Sequence, residues 1–581
     1  MTDFITTDAP EGARADLPPA PEGRAPGDWG FRHTLAALLV AVVAVLFFLP
    51  GIDRVPPLDR DEPRFAQATK QMVETGNYFD IRFQDQARHK KPIGIYWIQS
   101  AAVALSGEGA AAPLWVYRVP SLLAAVGSVI ASIWIARAFL SPGASLLVGL
   151  LMASTVLLGV EARLAKTDAV LLVTVLVSMG ALARVWRWRP RIGVLPHAPG
   201  RADRVLPVVF WAALAFGTLV KGPVAPMILA LTALALVLVG REVAWLKALK
   251  PLKGLLLFVI LVAPWFIAIG IATKGAFFTE AIGNDLLGKV AEGKESHGAP
   301  PFTHLALMLA TTWPLAPFAV LAVPAVWALR RVPAVVFALC WALPSWLVFE
   351  LVPTKLPHYV LPIVPALALA VVAVFVDEQE TPKRLLRKIA AVHLGILPVA
   401  LAAAAVILPW SLGDIPSFVG VPVVIVGALI GVGAAALLWR REGPGVVRPM
   451  LVGVMSALVI SIGTWAYVMP GLRMIWMSPR LAEAVAAVRH CPGPFASVGF
   501  NEPSLVFLSG TDTLLISAEK AADLLATDAC AVVAVEARHA AAFAAAIAAS
   551  PVPIAEVGRE QGFNINGGRR LDIGLYRRAT P

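Results

Sequence analysis

Between Leu58 and Trp97 the chain concentrates ionisable side chains, LDRDEPRFAQATKQMVETGNYFDIRFQDQARHKKPIGIYW, within an otherwise oily sequence. From Arg60 to Lys91 there are seven basic and five acidic residues, a density that generic loop chemistry does not require. Asp61 and Glu62 stand directly before Pro63, which favours the first turn of a helix. Phe65, Ala68, Met72 and Val73 then fall on one helical face, and Gly76 supplies a stop. A short amphipathic helix along the membrane surface is expected, with a carboxylate pair at its N-terminus. The helix dipole favours the ionised form of such a carboxylate, which can act as a base, orient a nucleophile or simply cap the helix. Spacing alone does not choose among these roles. Farther on, His89-Lys90-Lys91-Pro92 precedes the apolar Ile93–Ile98. Three basic groups at a membrane surface suit a lipid phosphate, and ordinary interfacial snorkelling is the simpler account of them on the residues alone.

The elements that must position these groups are membrane helices. Of the 581 residues 58% are hydrophobic and 15% charged, with a mean hydropathy of +0.74, which excludes a soluble globule. Apolar runs near 34–49, 116–138, 143–160, 169–186, 205–220, 224–239, 254–272, 304–328, 333–352, 359–376, 389–410, 419–438 and 449–469 give an expectation of about 13 transmembrane helices. Residues 1–30, rich in Pro, Gly, Ala and acids, read as a disordered cytoplasmic N-terminus, and Thr34–Leu49 as an uncleaved first span. With that orientation the inner loops are basic: 184–204 holds six Arg and one Asp, and 383–388 holds four Lys/Arg. The net charge of +11 is thus spread over short loops, which fits topology and anionic lipid and argues against a nucleic-acid partner. The opening loop, 51–115, breaks the pattern by being basic and outside.

Other isolated ionisable residues fall on that same outer face. Lys166-Thr167-Asp168 lies between the third and fourth spans, Lys221 ends a span in VKGPVAP, and Lys355, His358 and Tyr359 stand in PTKLPHY. The long outer loop 273–303 adds Asp285, Lys289 and His297. A charge at a span edge is costly, and each alone could be an anchor. Asp61, Lys91, Asp168, Lys221 and Lys355 together on one face are harder to explain that way. A flippase for lipid-linked sugars would instead place charges along a path through the bilayer.

An odd span count sends residues 476–581 outside as well. There, short apolar runs at Phe495–Val498, Ser504–Leu508 and Ala531–Val535 alternate with Ala-rich helical stretches at Ser478–Arg489 and Ala537–Ala549, the pattern of a small α/β domain. The three cysteines have no metal spacing; Cys340 reads as a packed hydrophobe, and Cys491 and Cys530 could pair if exported. Walker A, G-x-S-x-G, H-E-x-x-H and dinucleotide fingerprints are missing, so chemistry driven by a soluble nucleotide is not expected.

The ordered set DEPRFA (61–66), KPIGIYW (91–97), KTDA (166–169), TLVKG (218–222) and KLPHY (355–359) resembles the bacterial aminoarabinose transferases of lipid A. More broadly it resembles the protein O-mannosyltransferase-like superfamily with the membrane-embedded GT-C fold. The resemblance spans the membrane half, 31–475, and GFNEPSLVFLSGTDT and GFNINGGRR resemble the outer domain of this group. It implies an inverting glycosyltransferase of the bacterial inner membrane. Such an enzyme moves a sugar from a polyprenyl-phosphate donor, undecaprenyl phosphate, to lipid A or another envelope acceptor at the periplasmic face. Protein O-glycosylation on Ser/Thr is the alternative within the class.

Carried over by residue, Asp61 becomes the catalytic carboxylate and Asp168 a second acidic site residue, with Glu62 beside them. Lys91, Lys221, Lys289, Lys355 and Tyr359 fall to the donor phosphate, and Arg64, Lys90, Lys166, His297 and His358 to the surrounding site. No cofactor is expected. The family carries Glu before the Lys-Pro, where a metal has been proposed, and Lys90 stands there in this chain, which disfavours a divalent metal and makes the pocket more basic.

Overall fold

The computed structural model describes residues 29–58, 61–187, 201–281, 283, 299–440 and 445–579. The segment expected to be disordered, 1–30, falls almost wholly outside these residues, as do Asp285, Lys289 and His297. Among the described residues ten helices are long and apolar enough to cross a bilayer, and three shorter apolar helices accompany them, at Pro142–Ser154, Val224–Gly240 and Leu315–Ala328. These thirteen helices fall on the thirteen expected apolar runs. The chain is a multi-pass helical membrane protein. The three short helices come from runs that break or are bounded early. Thr155 turns extended between the helices Pro142–Ser154 and Val156–Glu161, and Pro314, lacking an N–H, separates Thr303–Thr311 from Leu315–Ala328.

The first ten helices are α1 (Phe31–Phe48), α2 (Asp61–Thr75), α3 (Gly94–Ser106), α4 (Leu114–Ala136), α5 (Pro142–Ser154), α6 (Val156–Glu161), α7 (Asp168–Arg187), α8 (Arg201–Lys221), α9 (Val224–Gly240) and α10 (Pro251–Ala272). Enclosure is uneven. The spans Asp168–Arg187 and Pro357–Asp377 are each 83% buried, whereas Pro251–Ala272 is 17% buried and presents Leu252, Leu256 and Ile271 outward. In a bilayer, apolar residues facing outward meet lipid and incur no cost. Asp168 opens one of the two most enclosed spans, and His358 and Tyr359 lie at the start of the other.

The opening loop folds as α2, a two-residue hairpin of β1 (Arg82–Phe83) and β2 (Gln86–Ala87), and α3. Phe65, Ala68 and Met72 are buried along α2, and Gly76, at φ +69°, ends it in a left-handed turn that favours glycine. A buried ion pair holds this loop to the spans. The Glu62 carboxylate accepts from Arg118 Nε at 2.7 Å and Nη2 at 2.9 Å, and from the backbone N–H groups of Leu58 (2.7 Å) and Ala165 (3.0 Å). Arg118 also donates to the carbonyls of Ile52, Val55 and Pro56. Arg163 acts similarly, donating to the carbonyls of Phe47, Pro50 and Gly159.

Beyond Trp476 the chain forms a mixed five-stranded sheet in the order β4-β3-β5-β7-β6. Its strands are β3 (Phe495–Val498), β4 (Leu514–Leu515), β5 (Val532–Glu536), β6 (Ile554–Asn564) and β7 (Arg569–Arg578). Alternation divides the side chains between two cores: Phe495, Val532 and Ala534 pack with Leu481 and Val485 of the helix Met477–Val488, and Ala496, Val498, Val533 and Val535 pack with Ala521 and Leu525 of the helix Ala518–Thr527. The run Ser504–Leu508, read as strand-like, is instead the helix Pro503–Ser509. Pro503 presets its first turn, and Leu505, Val506 and Phe507 are all buried in the short helix. Phe507 meets Tyr117 edge-on at 5.5 Å. Around it the sheet unit grips the opening loop: Gln67 donates to Thr511 (2.7 Å), Thr511 to Glu74 (2.7 Å), and Gln84 to the carbonyls of Thr511 (3.0 Å) and Thr513 (2.6 Å). Cys491 and Cys530, at the approaches to the paired strands β3 and β5, form a disulfide.

Candidate active site

Where α2, the stretch after β2, the α6–α7 turn, the end of α8 and the segment after Leu351 converge, a cavity of about 70 Å³ opens. Of the residues singled out from sequence, Asp61, Lys90, Lys91, Lys166, Asp168, Lys221, His358 and Tyr359 line it. Sites separated by almost 300 positions in the chain are thus brought to one place. Five cations (Arg88, Lys90, Lys91, Lys166 and Lys221) face two carboxylates (Asp61 and Asp168) across its wall.

Each group is placed by its element. Asp61 is the first residue of α2, half-exposed, with the Arg64 guanidinium one turn on at 3.9 Å. Lys91 leads into α3, and Lys221 is the last residue of α8. Those two helices meet at Gly94, where an added Cβ would lie 2.8 Å from the carbonyl of Leu219. Only glycine permits that approach, so the glycine of KPIG joins the Lys91 turn to the Lys221 turn. Lys221 Nζ donates to Asp168 Oδ1 at 2.5 Å and stands 5.5 Å from the centre of the Tyr359 ring. Lys166 Nζ lies 3.3 Å from Glu161 Oε1, and the His358 imidazole sits between the two pairs, 3.8 Å from Glu161 and 3.9 Å from Asp168. Glu161 ends α6, between the spans, and burial raises its carboxyl to about 7 against the opposing pull of Lys166.

Three expected residues, Glu62, Lys355 and Arg64, are not in the wall. Glu62 points the other way, with its carboxylate committed to Arg118 and two backbone donors, so its role in the structure is to anchor the loop. Lys355 donates to the Val352 carbonyl at 2.9 Å, while Thr354 and Leu356 on either side of it reach the cavity. The chain is extended there, and extended backbone sends neighbouring side chains to opposite sides. Arg64 lies beside Asp61 outside the wall. His89 leaves the basic trio to meet Asp80 at 3.0 Å.

Phe65, Arg88, Thr167, Thr354 and Leu356 in the wall, and Glu161 behind it, were not assigned to the site from sequence. Arg88 stacks 4.9 Å over the Phe65 ring, and its place one residue before the basic trio was the available signal. Glu161 carried none, since it ends an apolar run.

The donor set does not suit a divalent cation, which seeks hard oxygen ligands without competing charge. Asp168 is paired with Lys221, and the position before the Lys-Pro is Lys90. Among the described residues the three-ligand grouping is His490, Cys491 and Cys530, whose cysteines are already joined to each other. What the arrangement can do is bind a compact anion and hold it near the Asp61 carboxylate. At about 70 Å³ the cavity is far smaller than the ~300–1,000 Å³ of sites for drug-sized ligands, so only the charged part of a larger substrate fits inside.

Residues 90–267 match the Dolichyl-phosphate-mannose-protein mannosyltransferase family. An undecaprenyl phosphate-alpha-4-amino-4-deoxy-L-arabinose arabinosyl transferase of Erwinia tasmaniensis is 26% identical over 431 residues, 71% of this chain and 72% of the relative. The protein of that name from Pseudomonas aeruginosa is 28% identical over 383 residues, 64% of this chain and 65% of its own length. The crystal structure of ArnT from Cupriavidus metallidurans in the apo state shares the fold, with a TM-score of 0.71 at 19% identity over 94% of this chain and 98% of that one. Its structure bound to undecaprenyl phosphate superposes equally, with a TM-score of 0.71 at 18% identity over 93% and 98% of the two chains. In sequence and in fold the chain is similar to the aminoarabinose transferases, membrane glycosyltransferases of the GT-C type.

Proposed function

We propose that this chain is an inverting glycosyltransferase that takes a sugar from a polyprenyl-phosphate donor and passes it to lipid A at the periplasmic face of the bacterial inner membrane. The observation that carries the reading is the cavity itself, five cations and two carboxylates gathered at the ends of the most enclosed spans. In transfer, the acceptor oxygen attacks the anomeric carbon on the side opposite the phosphate. The carbon–oxygen bond to phosphate breaks, and the electron pair leaves with the polyprenyl phosphate. That leaving group is already good, so fixed cations suffice in place of a strong general acid. Lys91 and Lys221 take the phosphate, with Asp168 and the Tyr359 ring orienting Lys221. A hydroxyl acceptor gives its proton to Asp61; an ionised lipid A phosphate needs none, and Asp61 then positions it.

The disulfide supports the orientation, because structural disulfides persist outside the reducing cytosol. The match of residues 90–267 to protein mannosyltransferases favours a second reading, transfer to Ser/Thr of a protein acceptor. Purified protein supplied with a synthetic polyprenyl-phosphate sugar and either lipid A or a Ser/Thr peptide decides between them. Asp61→Asn should lower transfer to a hydroxyl by about 10²–10⁴-fold. Undiminished transfer in that variant would remove Asp61 from the mechanism.

A further inference from the structure

The segment from Val352 to Tyr359 presents four residues to the phosphate-suited cavity, Thr354, Leu356, His358 and Tyr359. Pro353 and Pro357 stand within it and have no N–H with which to tie it down. The Leu356 carbonyl does that work instead, by accepting two hydrogen bonds. One comes from the Tyr359 N–H at 3.0 Å and closes the first turn of the 3₁₀ helix Pro357–Ile363, which carries His358 and Tyr359. The other comes from His304 Nε2 at 3.2 Å, on the helix Thr303–Thr311 and 52 positions away in the chain.

His304 is 0% exposed and is not among the residues lining the cavity. Its ring lies 6.3 Å from the Tyr359 ring. A carbonyl only accepts, so Nε2 carries a proton. The other ring nitrogen, Nδ1, then faces the carboxylate of Glu350 near the end of the helix Pro333–Leu351, with Oε2 at 3.7 Å. Neither Nδ1 nor either Glu350 oxygen has a hydrogen-bond partner among the described residues. A carboxylate opposite Nδ1 favours the one ring orientation that turns Nε2–H toward Leu356. Contact then runs from Glu350 through His304 and the Leu356 carbonyl to the Tyr359 ring, 5.5 Å from Lys221 Nζ.

We infer that His304 is a positioning residue for the phosphate-suited cavity. Its Nε2–H holds the turn that sets Tyr359 beside Lys221 and His358 between Glu161 and Asp168, and Glu350 keeps the imidazole aimed. That the bound phosphate belongs to a polyprenyl donor rests on the transferase reading; the positioning rests on these contacts.

The test uses the full-length protein in detergent, titrated by calorimetry with undecaprenyl phosphate and with inorganic phosphate, and assayed for transfer. His304→Phe keeps a ring and loses the N–H. It should weaken both ligands about five- to tenfold and raise the donor KM, with the acceptor KM unmoved. His304→Gln, whose amide nitrogen reaches the place of Nε2, should return affinity to within about twofold of wild type. Glu350→Gln should weaken both ligands in the same direction, and His304→Phe/Glu350→Gln no more than His304→Phe alone, because both act through one hydrogen bond. Wild-type affinity in folded His304→Phe, equal losses in the Phe and Gln variants, additive losses in the double variant, or a raised acceptor KM in place of the donor KM would each overturn the inference. If His304→Phe does not fold, Glu350→Gln decides, and unchanged phosphate affinity there overturns it. A wild-type protein that binds inorganic phosphate and no undecaprenyl phosphate would sink the transferase reading, and the inorganic phosphate titrations would still decide the role of His304.

Discussion

Removing the Glu62 carboxylate is the sharpest test of how the opening loop is held. Glu62 and Arg118 are 0% and 1% exposed, so Glu62→Ala leaves a guanidinium buried without its counter-charge. Breaking such a pair from one side costs about 3–5 kcal/mol. The N–H groups of Leu58 and Ala165 also lose their acceptor, each worth about 1–3 kcal/mol if left unsatisfied, although these costs overlap with the first. The expected result is a large fall in the thermal unfolding midpoint of the detergent-solubilised protein, shared by Arg118→Ala. The double variant Glu62→Ala/Arg118→Met should recover part of the loss, since it buries no unpaired charge. Recovery stays incomplete because the carbonyls of Ile52, Val55 and Pro56 also lose their donor. Transfer measured per folded molecule at low temperature should change far less than in Asp61→Asn. A Glu62→Gln protein with an unchanged midpoint and abolished transfer would refute the anchoring role and return Glu62 to the chemistry.

Three further outcomes follow from the geometry. Gly94→Ala places a methyl against the α8 backbone and should separate Lys91 from Lys221, reducing turnover about 100-fold, whereas Gly143→Ala, with nothing within 4 Å of its Cβ, should be silent in the same assay. Burial raises the Glu161 carboxyl to about 7, so the cavity is expected to gain positive charge as pH falls through that range. Affinity for a polyprenyl-phosphate sugar, a phosphodiester whose own charge is constant there, should rise on acidification in wild type and become flat in Glu161→Gln, with Lys166, Asp168 and Lys221 as the neighbouring charges and the His358 imidazole between them. Phe507→Ala removes the ring contact to Tyr117 and should loosen the sheet unit from α2, seen as faster proteolysis between Trp476 and Phe495, and unchanged proteolysis would argue against that contact as the clasp.

The membrane half was legible because a bilayer leaves few solutions: every apolar run long enough to matter became a helix. Charges at span edges were legible for the same reason, since each is costly enough to need an explanation. Their partners were not. Asp168 with Lys221 and Glu62 with Arg118 lie 53 and 56 positions apart, and spacing cannot say which carboxylate faces a cavity and which faces an arginine. Lys355 shows the limit at one residue, because a single step along extended chain turns it away while Thr354 and Leu356 reach the wall. In the sheet unit β7 had a readable signal in Leu571, Ile573 and Leu575, and Asn566-Gly567 is a common hairpin turn. The run Ser504–Leu508 had none, being too short for its period to separate strand from helix.

The smallness of the cavity has a kinetic consequence. It admits a charged head while the polyprenyl chain stays in lipid, beside spans such as α10 that present leucine and isoleucine outward. Such a substrate arrives by lateral diffusion within the bilayer, and its relevant concentration is its mole fraction among lipids. Adding inert phospholipid at constant donor per volume would therefore slow the reaction as though substrate had been withdrawn, and the saturation curve would collapse onto one line only when plotted per lipid.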